Sequence, residues 1–293
     1  MLIDGKAVAA ELRAQLRRSV ERLMAERGIR PGLALLLVGD NPASQVYVRS
    51  KAKACQEVGF LSVVERLPAE TPQQTVLEYI RRWNQSPEIH GILVQLPLPR
   101  HIEEQEVLLA IDPRKDVDGF HPENVGRLVL GLPGFVPCTP AGILELLRRY
   151  VGPLAGKHVV VVGRSNIVGK PVANLLFQKT PDANAVVTIC HTGARDLVPF
   201  TRQADVLIVA MGVAGAIGAE HVKEGAVVID VGINRVVDPA TGKERLVGDV
   251  RFEEVFPKVS AITPVPGGVG PMTIAMLLWN TYRAATGELW SDR

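Results

Sequence analysis

The sequence predicts an α/β protein of two domains, and three observations carry that prediction. Short apolar runs alternate with amphipathic helical stretches along almost the whole chain, the pattern of parallel strands joined by crossover helices. The runs are continuously apolar, as in sheets covered on both faces. The composition also shifts over 112–140, where "DPRKDVDGFHPENVGRLVLGLPGFVPCTP" is rich in Pro, Gly and charge and holds no strong strand. That segment reads as the hinge between two α/β units.

The first unit opens its sheet with "LALLLVG" (33–39). A helix over 43–58 follows, ended by Gly59, with Val48, Ala52 and Cys55 along one side. Tyr47 and Lys51 are four residues apart and share a face of it. Strand 60–67, helix 72–85 and strand 91–96 come next, and the last places Gln95 at a carboxyl end, where α/β folds bind ligands. After the hinge, Thr139 is a helix cap with Pro140 in the first turn, and that helix runs to about residue 150. Strand 157–163, helix 170–179 and strands 185–190, 205–210, 226–231 and 259–262 build the second sheet. A second Pro/Gly stretch, "TPVPGGVGPM" (263–272), precedes a final helix over 273–285.

The chain has 293 residues, enough for two modest domains, and 33 Lys and Arg nearly balance 31 Asp and Glu. That balance argues against a nucleic-acid surface, which needs clustered positive charge. Acids and arginines interrupt the N-terminal apolar stretches, unlike a signal peptide. No run approaches the ~18 apolar residues of a membrane span. Cys55, Cys138 and Cys190 are odd in number and far apart, as expected of reduced thiols in a cytoplasmic protein rather than of disulfides or a metal site. Counted from Asp116, the EF-hand positions for Gly and Glu hold His121 and Arg127, which excludes that loop. HExxH and GxSxG are absent.

"VVVVGRSNIVGKP" (159–171) reads as a strand, a turn and a helix start, but without the G-x-G-x-x-G fingerprint. Ser165 stands where the second glycine is expected, and Gly169 comes one residue late. Gly163 permits the tight turn, and the helix near Gly169 would aim free N–H groups at the loop, a phosphate site. NAD sites usually end the next strand with an acid for the ribose 2′-hydroxyl. Here "TICHTGAR" has none between Thr188 and Arg195. Arg164, His191, Thr192 and Arg195 suit a 2′-phosphate instead, so the expected cofactor is NADP.

"YVRSK", "VQLPLP", "KDVDGF", "PCTPAG", "GRSNIVGKP", "DVGIN" and "PVPGGVGPMTI" together resemble, in order and spacing, the bifunctional methylenetetrahydrofolate dehydrogenase/methenyltetrahydrofolate cyclohydrolase family. The resemblance covers essentially the whole chain. It implies a catalytic folate-binding domain at 1–137, with the C-terminal helix (266–293) packing back on it. It also implies a Rossmann-like NADP domain at 138–265, with the folate in the cleft between them. The implied reaction is oxidation of 5,10-methylenetetrahydrofolate to the methenyl cation, then hydrolysis to 10-formyltetrahydrofolate, in a cytoplasmic homodimer with no bound metal.

By the same resemblance Lys51 moves protons in the hydrolysis, oriented by Gln95; Tyr47 stacks on the folate, and Asp118 accepts from the pterin N–H groups. A free lysine titrates near ~10.4, and burial together with the cationic substrate would favour its neutral form. Leu96, Pro97, Pro266, Gly267 and Gly268 are implied in the folate site, the glycines letting backbone approach the substrate. The implied cofactor residues are Thr139, Gly163, Arg164, Ser165, Ile167, Val168, His191, Thr192, Arg195, Gly212, Gly232 and Ile233. Four positions depart from the family pattern: Thr192 replaces a usual serine, Ala194 a common threonine, Arg195 is an added cation, and Arg251 stands where an acid is usual. A dehydrogenase without the hydrolase step leaves Lys51 with Gln95 unexplained. A nucleotide-sensing protein without turnover leaves the whole Tyr47, Lys51, Gln95 and Asp118 set unexplained, and a shikimate-type dehydrogenase gives no reason for "QLPLP".

Overall fold

The first helix, α1 (Gly5–Arg27), leads into β1 (Gly32–Val38), whose seven residues are all buried. In the computed structural model, which describes residues 1–237 and 242–289, β1 is the middle strand of a parallel sheet ordered β2-β1-β3, with β2 at Leu61–Leu67 and β3 at Gly91–Val94. The crossovers are α2 (Pro42–Glu57) and α3 (Gln73–Gln85). The Asn41 side chain caps α2 by accepting from the Ala43 and Ser44 amides, with Pro42 in the first turn.

The two faces of β1 build two cores. Leu33, Leu35 and Leu37 pack with Leu16, Val20, Val48, Cys55, Leu277 and Leu278. Ala34, Leu36 and Val38 pack with Val76, Ile80, Trp83 and Val107. Burying each such aliphatic side chain is worth roughly 1.5–3 kcal/mol, so this strand fixes the unit. Two short helices follow, α4 (Glu104–Leu109) and α5 (Pro122–Leu130). The latter lies inside the expected hinge: the His121 ring accepts from the Glu123 amide at its start, and Gly131 closes it in the left-handed conformation.

The second unit begins with α6 (Cys138–Tyr150) and continues through β4 (His158–Val162), α7 (Gly169–Leu176), β5 (Val186–Cys190), α8 (Val198–Thr201), β6 (Val206–Val209) and β7 (Val227–Asp230). After β8 (Asn234–Val237), β9 (Glu244–Val247), α9 (Phe252–Val255) and β10 (Ala261–Ile262), the long α10 (Val269–Thr286) ends the described fold. The sheet is parallel, ordered β10-β7-β6-β4-β5, and β8 and β9 form a separate antiparallel hairpin. All eight expected strands are present; the hairpin, α1, α4, α5, α8 and α9 were not anticipated.

One packed unit comprises residues 10–138 and the chain from 274, the other residues 1–9 and 139–273. Two expectations about this division are corrected. Residues 1–9 belong with the nucleotide-type sheet, because the chain start pairs with β10: Ile3 N donates to Ile262 O at 2.9 Å and Ile262 N to Met1 O at 3.0 Å. Residues 266–273 belong there too, and only from Ile274 does α10 join the first unit. Thr139 is also not the cap of α6, which already starts at Cys138; its hydroxyl instead shares a 2.9 Å hydrogen bond with that of Thr273. Among the described residues no helix is long and apolar enough to cross a membrane.

Candidate active site

In the first unit, strand order reverses between β1 and β3, and a ligand crevice is expected at their carboxyl ends. Gln95, the residue after β3, continues the ladder by donating its amide to Leu36 O at 2.8 Å. Its side-chain nitrogen donates to Leu96 O at 2.8 Å. That bond orients the carboxamide, and Lys51 Nζ donates to its oxygen at 3.1 Å. Tyr47, one turn earlier on α2, is exposed, with its ring uncommitted to the core. The Leu96–Pro97 peptide is cis.

Asp118 is half-buried on a loop that is fixed from both sides. The buried Asp116 carboxylate accepts from the His121 amide (2.8 Å), the Phe120 amide (3.3 Å) and Asn124 Nδ2 (2.8 Å). On the other side Asn280 Nδ2, from α10, donates to Val117 O and Val136 O, and Cys138 Sγ donates to Val117 O. Burial pushes the Cys138 thiol well above its usual range; the Asp118 charge adds to that and the Lys51 charge opposes it. Both predicted charges thus act on one buried atom, which places them in one neighbourhood. Asp116, Asn124 and Asn280 were not anticipated, because they bond to backbone groups or to one another and leave no spacing signal.

In the second unit the strand order reverses between β4 and β6. Gly163 ends β4 with φ +131°, and a Cβ there would overlap the Ala210 carbonyl at the end of β6. A Cβ on Gly169 would overlap Gly163 O. The late second glycine is therefore a packing partner of the first. The amides at the start of α7 are not free, contrary to expectation. Ser165 Oγ accepts from Val168 N (3.1 Å) and Gly169 N (3.3 Å), and Ser165 O accepts from Lys170 N. The Ser165 O–H is still available to a ligand as a donor, with the exposed Ile167 nearby in the loop.

Arg164 and Arg195 are exposed, and among the described residues neither has an ion pair or hydrogen bond. Thr192 is exposed; His191 Nδ1 accepts from Gly193 N at 3.0 Å, which leaves Nε2 as the donor of the neutral ring. The first acid after β5, Asp196, accepts from Val198 N at the start of α8. Two free guanidiniums and no uncommitted acid fit a nucleotide carrying a 2′-phosphate. The amides of Gly212 and Gly232 are held by Asp249 and Asp230, while Ile233 is exposed. The glycine loop at 266–268 packs tightly on its own unit: a Cβ on Gly268 would overlap Thr263 and Pro264 O, one on Gly5 would overlap Gly268 O, and Lys6 N donates to Gly267 O at 2.9 Å.

Two family models match the chain: the tetrahydrofolate dehydrogenase/cyclohydrolase catalytic domain over residues 3–118 and the NAD(P)-binding domain of the same family over 137–289. The chain is 60% identical over 287 residues to the bifunctional protein FolD of Prosthecochloris aestuarii, covering 97% of each. The structure of the bifunctional FolD methylenetetrahydrofolate dehydrogenase/cyclohydrolase from Campylobacter jejuni superposes with a TM-score of 0.92 at 51% identity, covering 99% of both chains. That of the Trypanosoma brucei dehydrogenase-cyclohydrolase, complexed with NADP cofactor and inhibitor, gives 0.93 at 40% identity over 99% of each.

Proposed function

We infer, from a chain that belongs to the tetrahydrofolate dehydrogenase/cyclohydrolase family, a bifunctional enzyme of one-carbon metabolism. It oxidises 5,10-methylenetetrahydrofolate to 5,10-methenyltetrahydrofolate with NADP, then hydrolyses that cation to 10-formyltetrahydrofolate. The observation that carries the second activity is the Lys51–Gln95 hydrogen bond, a proton-transfer group and its neutral orienter at a sheet's carboxyl end.

Bound NADP supplies the hydride acceptor. The chain's own task in that step is alignment, which needs no acid or base. Tyr47 offers a ring face to the pterin system, and Asp118 accepts from the pterin amino and ring N–H groups, held in place by the clamped loop. In hydrolysis Lys51 takes a proton as water adds to the methenyl carbon and returns one to the ring nitrogen that departs. Gln95 orients the amine without adding a charge, which a carboxylate in its place would do.

For the cofactor, Arg164 and Arg195 are the cations for the 2′-phosphate, with His191 Nε2 and the Thr192 and Ser165 hydroxyls as further donors. Thr139, Val168, Gly212, Gly232 and Ile233 line the same site. Leu96, Pro97, Pro266, Gly267 and Gly268 belong to the folate side. A cytoplasmic homodimer is part of the same reading: all three thiols are free and buried, and the edge strand β5 exposes Val186 and Ile189.

The test is simultaneous absorbance of NADPH and of methenyltetrahydrofolate, with each nicotinamide cofactor. NADPH formation followed by enzyme-dependent decay of the methenyl signal is expected. No NADPH would leave a binding protein, and NADPH with only uncatalysed methenyl decay would leave a dehydrogenase alone.

A further inference from the structure

At the carboxyl end of the nucleotide-unit sheet, two buried acids tie three loops together. Asp230 ends β7; its Oδ1 accepts from Gly232 N and Asp249 N, both at 3.0 Å, and its Oδ2 from Val250 N at 2.9 Å. Asp249 follows β9; its Oδ2 accepts from Met211 N (2.7 Å) and Gly212 N (2.9 Å), and its Oδ1 from Asn234 Nδ2 (2.8 Å). Asp230 is 4% and Asp249 0% exposed. Among the described residues neither is paired with a cation. A Cβ on Gly232 would overlap the Asp249 carboxylate, and one on Gly248 the Asp230 carboxylate, so the loops close directly around the acids.

A buried carboxylate without a counter-cation is costly to desolvate and persists only where hydrogen bonds replace its water. Apolar packing would hold three loops together more simply. What the acids add is direction: each N–H is aimed at one oxygen, so the turn after β6 is set in register with the turns after β7 and β9. Burial pushes Asp230 up to about 6 against the pull of the Val250, Asp249 and Gly232 amides, which leaves it ionised at neutral pH.

We propose that Asp230 and Asp249 are positioning residues for the cofactor, setting the backbone of Met211–Gly212 and Gly232–Ile233. This rests on the reading that these turns face NADP. The two acids differ in what they require. In Asp249→Asn the retained oxygen can face Met211 and Gly212 while the new NH2 faces Asn234, whose own amide can turn to accept it. Every bond is rebuilt. In Asp230→Asn both oxygens face only backbone donors, so either orientation sets an NH2 against an N–H. The same isosteric change is tolerated at one site and not at the other.

The experiment compares full-length wild type, Asp249→Asn, Asp249→Ala and Asp230→Asn. Calorimetry gives the NADP dissociation constant, amide hydrogen exchange of the nucleotide-free protein gives protection at 211–212 and 232–234, and a cooperative thermal melt confirms folding. Asp230→Asn and Asp249→Ala should weaken NADP about tenfold or more and speed exchange at those amides. Asp249→Asn should restore both to within about threefold of wild type. Equal protection in the two isosteric variants overturns the proposal. So does faster exchange in Asp230→Asn with unchanged NADP affinity, which would leave the acids merely structural. If Asp249→Ala does not fold, the two asparagine variants still decide. Wild type that binds no NADP at all would instead defeat the functional reading, while the exchange comparison would still test the geometry.

Discussion

Lys51 Nζ donates to Gln95 Oε1 at 3.1 Å, and the other half of that carboxamide is held by Leu96 O. Gln95 therefore cannot rotate to present its nitrogen without losing both bonds. Lys51→Met keeps the length and apolar packing of the side chain but carries no proton. Cyclohydrolase activity should fall by roughly 10²–10⁴-fold, with dehydrogenase activity falling far less and methenyltetrahydrofolate accumulating. Methenyl absorbance at saturating NADP and folate measures this. Decay as fast as in wild type would remove Lys51 from the mechanism.

Arg164 stands beside the β4 turn with no partner of its own among the described residues. A charge-assisted hydrogen bond is worth roughly 1.5–3 kcal/mol, so Arg164→Ala should weaken NADP by about ten- to a hundredfold and barely change NAD. Comparable losses for both cofactors, in a titration of each, would mean that Arg164 braces the loop.

On the proposed role of Asp118, Asp118→Asn would set a donor in place of an acceptor oxygen against the pterin N–H groups. Because both reactions use the same bound pterin, both should fall, and the folate KM should rise while the melting temperature holds. Wild-type kinetics for both steps would reduce Asp118 to a turn residue of its Asp-Gly pair.

Asp116 gives a pH signature. Burial raises its carboxyl from 3.8 to about 7, against the pull of Asn124 and the His121 amide. Between about pH 4 and pH 7 the folded protein then holds a proton that the unfolded chain has released, so Asp116 makes stability fall as pH rises through that window. Asp230, raised to about 6 by burial, acts in the same direction over a narrower range. In Asp116→Asn the oxygen can stay toward Asn124 and His121, with the NH2 facing the more distant Phe120 amide (3.3 Å) as the neutral acid's O–H already does, so the decline should flatten. Melting temperatures of both proteins across the window check it; parallel slopes would mean that Asp116 does not titrate there.

Most strands were legible as unbroken apolar runs, and continuous burial of Gly32–Val38 is what such a run predicts. The β8–β9 hairpin was not, since "NRVV" and "ERLV" mix charge with apolar residues on exposed strands. Helix α5 carried its signals openly in His121, Pro122 and Gly131, but the Pro and Gly of its surroundings read as a hinge. Tyr47 and Lys51 shared a visible helix face; Gln95, on a different element, was joined to Lys51 only by family resemblance. Ser165 exposes the limit most plainly. A serine after a turn glycine can face a ligand or cap its own helix, and only three-dimensional placement tells them apart. Asp230 and Asp249 left no trace because all their partners but Asn234 are backbone amides, which every sequence has.

The division of α10 between the two units bears on biosynthesis. Leu277 and Leu278 complete the core that Leu16, Val20 and Leu35 begin, so that core joins opposite ends of the chain. On the ribosome the strands β1 to β3 emerge early, yet two of the leucines that pack on one face of them come only with α10. The whole span 139–273 is synthesised in between, and its sheet needs nothing later than itself, because the residues 1–9 that pair with β10 have already been made. Domains ordinarily fold in the order of their synthesis. Here the nucleotide-binding unit can close before Leu277 and Leu278 complete the core that Leu16, Val20, Val48 and Cys55 already build on β1.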